Sequence, residues 1–254
     1  MSTHLTDRRQ PGGSDVRARL AIALDVDDLV EATRIAREVR PWFGVAKVGL
    51  ELFTAAGPDA VIELADAGYR VFLDLKLHDI PTTVRKAATV IGALGASYLT
   101  LHASGGPAML RAGVEGLATG AANANLAPAT ALAVTVLTSD DEAPVDVVRH
   151  RVQVALDGGC AGMVCAAADL DEARLLAPRL VTVVPGIRPA GAARHDQGRT
   201  ATPAEALAAG ADLLVVGRAV TAAPDRARAA HELAGSLALE RRSTGPGAPA
   251  PPGR

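Results

Sequence analysis

Residues 72–84 combine charged side chains with an apolar background. They read Phe-Leu-Asp-Leu-Lys-Leu-His-Asp-Ile-Pro-Thr-Thr-Val, so Asp74 and Lys76 lie two positions apart and Asp79 follows closely. In a β-strand, residues i and i+2 point to the same face. Because burying charges is costly unless they are paired, the pattern predicts that Asp74 and Lys76 point the same way and that the protein uses these charges for chemistry.

Other predicted strands also end in polar residues. An acid closes the first strand, a base lies late in the second, and a histidine, two threonines and two arginines follow later strands: Asp25, Lys47, His102, Thr135, Thr138, Arg188 and Arg218. A single charged residue at a strand end is commonly just a solvent-exposed residue at the boundary of the strand. If the strands are parallel, however, alternating acids and bases from consecutive strands would surround one opening. This series therefore favours an active site at the carboxyl edge of the sheet.

The last two predicted strands carry a second cluster that is suited to binding an anion. Val-Pro-Gly-Ile-Arg occupies 184–188, and Gly217 and Arg218 come just before a predicted helix. Gly217 would allow the backbone to approach an anion closely, and Arg218 could hold it with two hydrogen bonds. The polar segment 189–198 is rich in small residues, as expected for a loop that closes over a ligand. We expect a phosphate group here.

The elements that must position these residues alternate along the chain. Runs predicted as strands are 20–25, 44–49, 70–76, 97–102, 130–137, 161–166, 180–185 and 212–217. Runs predicted as helices are 28–40, 51–68, 82–95, 105–119, 144–158, 169–177 and 219–236. Nearly continuous apolar strands are typical of a parallel sheet covered on both faces. Eight such units, with no Gly-x-Gly-x-x-Gly turn of an open sheet, favour a single-domain α/β fold, the closed (β/α)8 TIM barrel.

The composition predicts a soluble protein. The 254 residues carry a net charge of −2, which favours no nucleic-acid partner, and 49% of them are hydrophobic. No run approaches the roughly 18 apolar residues of a membrane span, and the N-terminus lacks a secretory signal. We therefore expect a cytoplasmic protein that binds no membrane. Residues 1–18 and the Pro/Gly-rich stretch 241–254 are predicted to be flexible, on either side of a catalytic barrel at 19–240.

Cysteines and histidines give no sign of a metal site or of a covalent nucleophile. Cys160 and Cys165 are predicted to be small buried residues of a protein from a reducing compartment. His78 is expected to point away from the neighbouring charges, and His102 is expected to face the barrel mouth. No set of ligands has the spacing of a metal site, so neither a metal nor a cofactor is predicted.

Taken together, these motifs resemble the orotidine 5'-phosphate decarboxylase family, whose members convert OMP to UMP in pyrimidine synthesis. The resemblance covers residues 19–236. It is carried by Ile-Ala-Leu-Asp at 22–25, Val-Ala-Lys-Val-Gly at 45–49, Glu-Leu-Phe at 51–53, the whole of 72–84, Pro-Gly-Ile-Arg at 185–188, Asp-Gln at 196–197 and Val-Val-Gly-Arg at 215–218. The Asp-x-Lys-x-x-Asp-Ile-Pro element is the most specific of these.

The resemblance implies a role for each candidate residue. Lys76 would donate a proton to C6 of the pyrimidine, and Asp74 would lie beside the departing carboxylate. Lys47 is implied to belong to the catalytic group as well, by pairing with Asp74. The residues implied to bind the rest of the substrate are Asp25 and Lys47 for the ribose, Thr138 for the base, and Arg188, Gln197, Gly217 and Arg218 for the phosphate. A homodimer is also implied, in which Asp79, Ile80 and Thr83 reach the partner's active site. The reaction would need no cofactor.

Two alternatives remain at this point. Related barrel enzymes acting on sugar phosphates, either decarboxylases or synthases, share the Asp-x-Lys-x-x-Asp core but depend on Mg²⁺. Here Ile80-Pro81-Thr82-Thr83 follows the second aspartate, which is the pattern of the nucleotide enzymes. A non-catalytic protein that binds a phosphorylated ligand is the other alternative, although binding alone would not require so many charges in one place.

Overall fold

Eight parallel strands close into a barrel in the order in which they occur in the chain. The computed structural model describes residues 16–137, 144–189 and 199–243, with side chains described as far as residue 237. The strands are β1 (Leu20–Leu24), β2 (Val45–Gly49), β3 (Arg70–Leu77), β4 (Tyr98–His102), β5 (Thr130–Val134), β6 (Gly162–Val164), β7 (Val181–Val184) and β8 (Leu213–Val216). Pairing of Ile22 in β1 with Val216 in β8 completes the ring. The predicted (β/α)8 barrel is confirmed.

Helices follow the strands and cover the outside of the barrel. They are α1 (Leu29–Val39), α2 (Leu50–Ala56), α3 (Pro58–Asp66), α4 (Pro81–Ala93), α5 (Gly106–Asn123), α6 (Val145–Asp157), α7 (Leu170–Leu176), α8 (Pro203–Ala208), α9 (Arg218–Thr221) and α10 (Arg226–Ser243). Short 3-10 helices lie at Val16–Arg19, Ala103–Gly105 and Ala167–Asp169. None of the described helices is long and apolar enough to cross a lipid bilayer.

Three helical features differ from the sequence prediction. The helix predicted over 51–68 is two helices, because Gly57 adopts a φ of +59° and Pro58 starts a new helix after it. The helix predicted over 219–236 is likewise divided into α9 and α10. Helix α8 was not predicted, although Thr202 and Glu205 form a capping box at its start.

Alternation along the strands separates two apolar layers. Side chains such as Ile22 pack outward against the helices. A smaller cluster fills the barrel interior and consists of Ala21, Ala23, Val45, Phe72, Leu132, Val183, Leu213 and Val215. Interior layers of this kind close the lower part of a TIM barrel and leave its carboxyl-terminal mouth for ligands.

Both cysteines are buried. Cys160 and Cys165 are free thiols that are 5% and 1% exposed. Burial raises the pKa of each thiol to about 12. Since the thiolate is the reactive form of cysteine, these residues act as small core side chains, as predicted.

Part of the predicted N-terminal extension belongs to the barrel. In the 3-10 helix Val16–Arg19, the carbonyl group of Arg17 accepts a hydrogen bond from the amide of Gly44 at 2.8 Å. The carbonyl group of Ala18 accepts another from the guanidinium group of Arg70 at 2.6 Å. The ordered fold therefore includes residues 16–18. At the other end, residues 241–243 of the predicted flexible tail lie in α10, which runs to Ser243. The rest of the domain division stays a prediction, because 1–15 and 244–254 lie outside the described residues.

Candidate active site

The alternation that fills the barrel interior also places the charged side chains in its mouth. Val45 belongs to the interior cluster, so Lys47, two residues further along β2, also points inward. The same step leads from Phe72 to Asp74 in β3 and from Ala23 to Asp25 just after β1. In each of these three strands, the side chains that point inward thus change from apolar to charged within two residues.

Four charged side chains from three adjacent strands form one chain of ion pairs. The Nζ atom of Lys47 lies 2.8 Å from Oδ1 of Asp25 and 3.8 Å from Oδ2 of Asp74. The Nζ atom of Lys76 lies 2.9 Å from the same Oδ2 of Asp74. Lys47 and Asp74 are the most enclosed, with side chains 10% and 16% exposed, whereas Asp25 is 57% exposed. Asp74 therefore accepts charge-assisted contacts from two ammonium groups.

Gly49 makes room for this arrangement. A Cβ atom at position 49 would lie 2.9 Å from Oδ1 of Asp25 and 3.1 Å from Nζ of Lys47. These separations are shorter than normal van der Waals contacts, so a larger residue would displace one of the two charged groups. The glycine that ends β2 is thus part of the geometry of the site.

Asp74 and Lys76 do share the mouth of the barrel, but a regular strand is not the reason. Pairing with β4 passes from Leu73–Leu99 to Leu77–Leu101, so β3 advances four residues while β4 advances two. Within this bulge Lys76 has a φ of +50°, a left-handed conformation that costs a residue other than glycine about 1–3 kcal/mol. Bulges re-aim side chains, particularly next to active sites. The bulge directs the Lys76 ammonium group toward Asp74.

Thr100, which sequence reasoning did not single out, links the two residues of the bulge. This β4 residue is fully buried. Its hydroxyl group accepts a hydrogen bond from the backbone amide of Lys76 at 2.8 Å and donates one to Oδ1 of Asp74 at 3.1 Å. A threonine in a strand is so common that its sequence position alone gave no signal.

The charged layer opens into a cavity of ≈ 540 Å³, a size typical of small-molecule sites. Asp25, Lys47, Asp74 and Lys76 line one part of it. The residues that line another part come from the segment after β7 and from the turn and helix α9 after β8: Pro185, Gly186, Arg188, Gly217, Arg218 and Thr221. The structure therefore joins the two clusters that the sequence predicted separately.

The second part of the cavity is electropositive. Arg188 is only 7% exposed, and its buried Nε atom finds no hydrogen-bond partner within the described part of the chain. Burial, together with the positive charge of Arg218, lowers the pKa of Arg188. A Cβ atom at Gly217 would approach only Ala23, at 3.7 Å, so the glycine backbone is accessible from the cavity. These features suit an anion, as expected.

Backbone pairing and an ion pair hold the two ends of the loop after β7. Ile187 and Ala201 form a parallel bridge, and the amide of Arg188 donates to the carbonyl group of Ala201 at 2.9 Å. Arg199, at the far end of the loop, makes two hydrogen bonds to the buried carboxylate of Asp169, at 2.7 and 2.8 Å. Sequence reasoning missed this pair, since a helix, a strand and a loop separate its two members in the chain.

Some predicted site residues do not meet the others within one chain. Asp79, Ile80 and Thr83 are exposed at the start of α4, and none of them lines the described cavity. The Asp79 carboxylate accepts a hydrogen bond from the amide of Ile80 at 2.6 Å. Thr138 and Gln197 lie outside the described residues, so their assignments stay predictions.

The two histidines near the site form a pair beside the cavity. The rings of His78 and His102 stack with centroids 5.4 Å apart, and Nδ1 of His102 lies 2.6 Å from the hydroxyl oxygen of Ser104. Neither ring lines the cavity. This agrees with the outward direction expected for His78, but the position facing the barrel mouth that was expected for His102 is not seen. Among the described residues, no cluster of three or more His, Cys, Asp or Glu side chains could hold a metal ion.

With this geometry established, comparison with known proteins identifies the family. A model of the orotidine 5'-phosphate decarboxylase / HUMPS family matches residues 18–233. The chain belongs to this family. The resemblance predicted from the motifs is confirmed, and it extends over the whole described barrel.

Individual relatives support the same family. An orotidine 5'-phosphate decarboxylase from Anaeromyxobacter sp. (strain K) is 46% identical over 230 residues, covering 86% of this chain and 98% of that protein. One from Thermobifida fusca is 46% identical over 235 residues, with coverages of 87% and 96%. A crystal structure of orotidine 5'-phosphate decarboxylase from Lactobacillus acidophilus superposes with a TM-score of 0.73 at 33% identity, covering 85% of this chain and 97% of that one.

Proposed function

We propose that this protein decarboxylates orotidine 5'-phosphate to UMP, the final step of de novo pyrimidine nucleotide synthesis. One observation carries the proposal: the ammonium group of Lys76, 2.9 Å from Asp74, lies in the same cavity as Arg188 and Arg218. A proton donor and a phosphate site thus line a single ligand-sized space. The names of the family's curated relatives agree with this reaction.

The reaction requires a way to stabilise charge on carbon. When the C6–carboxylate bond breaks, CO₂ leaves and the electron pair stays on C6, where no adjacent group can delocalise it. Lys76 places a positive charge beside that electron pair and transfers its proton to C6, which forms UMP and leaves a neutral amine. Preorganised charge of this kind is commonly the largest contribution to catalysis. The proposed reaction uses no cofactor and no metal.

The ion-pair chain prepares Lys76 for this role. Asp74 and the Lys47 ammonium group hold each other in place, so Lys76 is directed by a partner that is itself fixed. We assign Asp25 and Lys47 to the ribose hydroxyl groups and Asp74 to the position beside the departing carboxylate. Donors and acceptors held before the substrate arrives need not reorganise during the reaction.

The phosphate group is assigned to Arg188, Gly217 and Arg218, with Gln197 from the loop after β7 and Thr138 on the base. Arg188 supports this assignment because it is a buried cation whose Nε atom has no partner in the described residues. Binding energy at the phosphate is remote from the bond that breaks. It can therefore be used to close the loop and order the site rather than to bind the reacting ring.

We further propose a cytoplasmic homodimer in which Asp79, Ile80 and Thr83 complete the partner's active site. Ile80 is 66% exposed although it is large and apolar, and the three residues lie outside the cavity of their own chain. Pro81 begins α4 directly after Ile80, and Thr83 lies in the first turn of this helix, so α4 fixes their position. An exposed apolar side chain presented in this way suits an interface between subunits.

The decisive experiment is an assay of purified protein with OMP in the presence of EDTA. We expect the ultraviolet absorbance of OMP to be lost and UMP to accumulate, because no step of the proposed reaction uses a metal. Lys76→Ala should remove nearly all turnover and retain UMP binding. Absence of UMP formation by the wild-type protein would reject the proposal, and activity that requires Mg²⁺ on sugar phosphates would favour the alternative enzyme class.

A further inference from the structure

The hydroxyl group of Thr100 contacts both catalytic residues of β3 without reaching the cavity. It accepts a hydrogen bond from the Lys76 amide at 2.8 Å and donates one to Asp74 at 3.1 Å. Thr100 itself is fully buried and does not line the cavity. It can therefore influence the reaction only through the two residues that it binds.

The bulge explains why such a contact is needed. Two extra residues of β3 between Leu73 and Leu77 interrupt the ladder to β4. The Lys76 amide lies in this interruption, and an unpaired buried amide is unfavourable. The Thr100 side chain supplies the missing acceptor. It does so where Lys76 has a φ of +50°, a conformation that surrounding contacts must maintain.

We propose that Thr100 is a positioning residue, whose hydroxyl group holds the β3 bulge and thereby fixes the Lys76 ammonium group beside Asp74. The inference rests on the proposed decarboxylation. It assigns a role to the hydroxyl group itself, as distinct from the methyl group that fills space between the strands.

Two substitutions separate the hydroxyl group from the methyl group. Thr100→Val keeps the shape and the β-branch and removes both hydrogen bonds, whereas Thr100→Ser keeps the hydroxyl group and removes the methyl group. For Thr100→Val we expect kcat to fall about tenfold to 100-fold, because a small displacement of a catalytic group is costly. The KM for OMP should change less than about threefold, since the residues proposed to bind the phosphate group are unchanged. Thr100→Ser should retain kcat within about threefold.

A matched control comes from the opposite end of the barrel. Thr182 in β7 is also fully buried. Its hydroxyl group accepts a hydrogen bond from the backbone amide of Asp212 at 3.2 Å and donates one to the Asp212 carboxylate at 2.9 Å. Thr182→Val removes a comparable set of hydrogen bonds far from the mouth. We expect it to lower the melting temperature while kcat stays at the wild-type value.

Each outcome decides for or against the role of Thr100. A kcat for Thr100→Val within twofold of wild type would overturn it, and so would an equal loss in Thr100→Ser, which would point to packing of the methyl group. If Thr100→Val fails to fold, Thr100→Ser and Thr100→Ala supply the same contrast.

Crystal structures of the variants give a readout that needs no turnover: Lys76 should leave Asp74 in Thr100→Val and stay beside it in Thr100→Ser. A wild-type protein inactive on OMP would reject the function, and this structural contrast would still test Thr100.

Discussion

Arg188 is buried close to a second arginine, an arrangement that is unfavourable until an anion arrives. Burial and the charge of Arg218 both lower the pKa of Arg188, so each acts against the charged form. Its Nε atom has no hydrogen-bond partner in the described part of the chain. A phosphate group would supply both the opposite charge and the missing acceptor. The unbound protein therefore holds a cation that a ligand can stabilise.

This leads to a prediction with two readouts. Arg188→Met should weaken UMP binding by about 100-fold, the scale of losing a charged hydrogen bond to phosphate. Binding of uridine, which lacks the phosphate, should change little, and the melting temperature of the unbound protein should not fall. Calorimetric titration with both ligands and a thermal melt would measure these effects.

The control for this substitution is Arg37→Met on the exposed outer surface of α1. It removes the same charge from the molecule, and both affinities should stay at their wild-type values. Equal losses of UMP and uridine affinity in Arg188→Met would contradict the phosphate assignment.

The sequence predicted several of the residues that the structure brings together in the cavity, but it did not predict how they are held in place. Asp74 and Lys76 could be recognised because burying charged side chains within an apolar run costs free energy, so their presence there suggests a specific role. Their common direction was predicted from the regular alternation of a strand, yet a bulge with a left-handed Lys76 produces it. Thr100 could not be recognised, since a buried threonine in a strand has the same local pattern whether or not it bonds to a catalytic residue.

Among the elements, the loop after β7 depends on a contact with the preceding βα unit. Asp169, in the 3-10 helix before α7, pairs with Arg199 at the end of that loop, and the two side chains are 7% and 12% exposed. In the sequence, Arg199 lies two residues before Ala201, whose bridge to Ile187 joins the two ends of the loop. Where the loop returns to the barrel is thus fixed by a buried ion pair.

Asp169→Asn should therefore destabilise the fold. The substitution leaves the Arg199 cation buried without its counter-charge, a change that commonly costs about 3–5 kcal/mol. For a domain of this size we expect the melting temperature to fall by on the order of 10 °C. Differential scanning calorimetry of the purified variant would measure the shift.

Glu172→Gln is the matched comparison, because it breaks the Arg149–Glu172 pair on the surface, where Arg149 is 57% exposed. Exposed pairs contribute little, so its melting temperature should stay near that of the wild type. A similar shift in both variants would show that burial of the Asp169 pair is not the cause.

The order of the elements was predictable because each strand is a short apolar run and each helix a longer amphipathic one. Local signals that override periodicity explain the errors. Gly57 and Pro58 divide a pattern that continues on both sides of them. Helix α8, with only six residues, is too short to show a period, and its start is marked by the Thr202 capping box and by Pro203 at its first position.

For the whole molecule, the main prediction concerns the proposed homodimer. If Asp79 completes the partner's site, Lys76→Ala and Asp79→Ala homodimers should each be inactive, whereas a mixture that exchanges subunits should regain activity. Each mixed dimer has one intact site, so random exchange should restore about a quarter of wild-type activity. Steady-state assays after co-incubation would measure this.

Sedimentation analysis would test beforehand whether the wild-type protein and both variants are dimers. A mixture of exchanging dimers that stays inactive would place Lys76 and Asp79 in the site of one and the same chain, and the proposed arrangement would then be wrong.

The pairing of β1 with β8 has a consequence for the protein during its synthesis. The first three strands, with Asp25, Lys47, Asp74 and Lys76, leave the ribosome before the other strands. Gly217 and Arg218, which follow β8, are among the last cavity residues to emerge. For most of translation, a nascent chain would therefore contain the charged residues of the first three strands but lack the residues after β8 that are proposed to bind the phosphate group of a nucleotide. Ligand-assisted folding would therefore begin only when the final strand has emerged and joined the first.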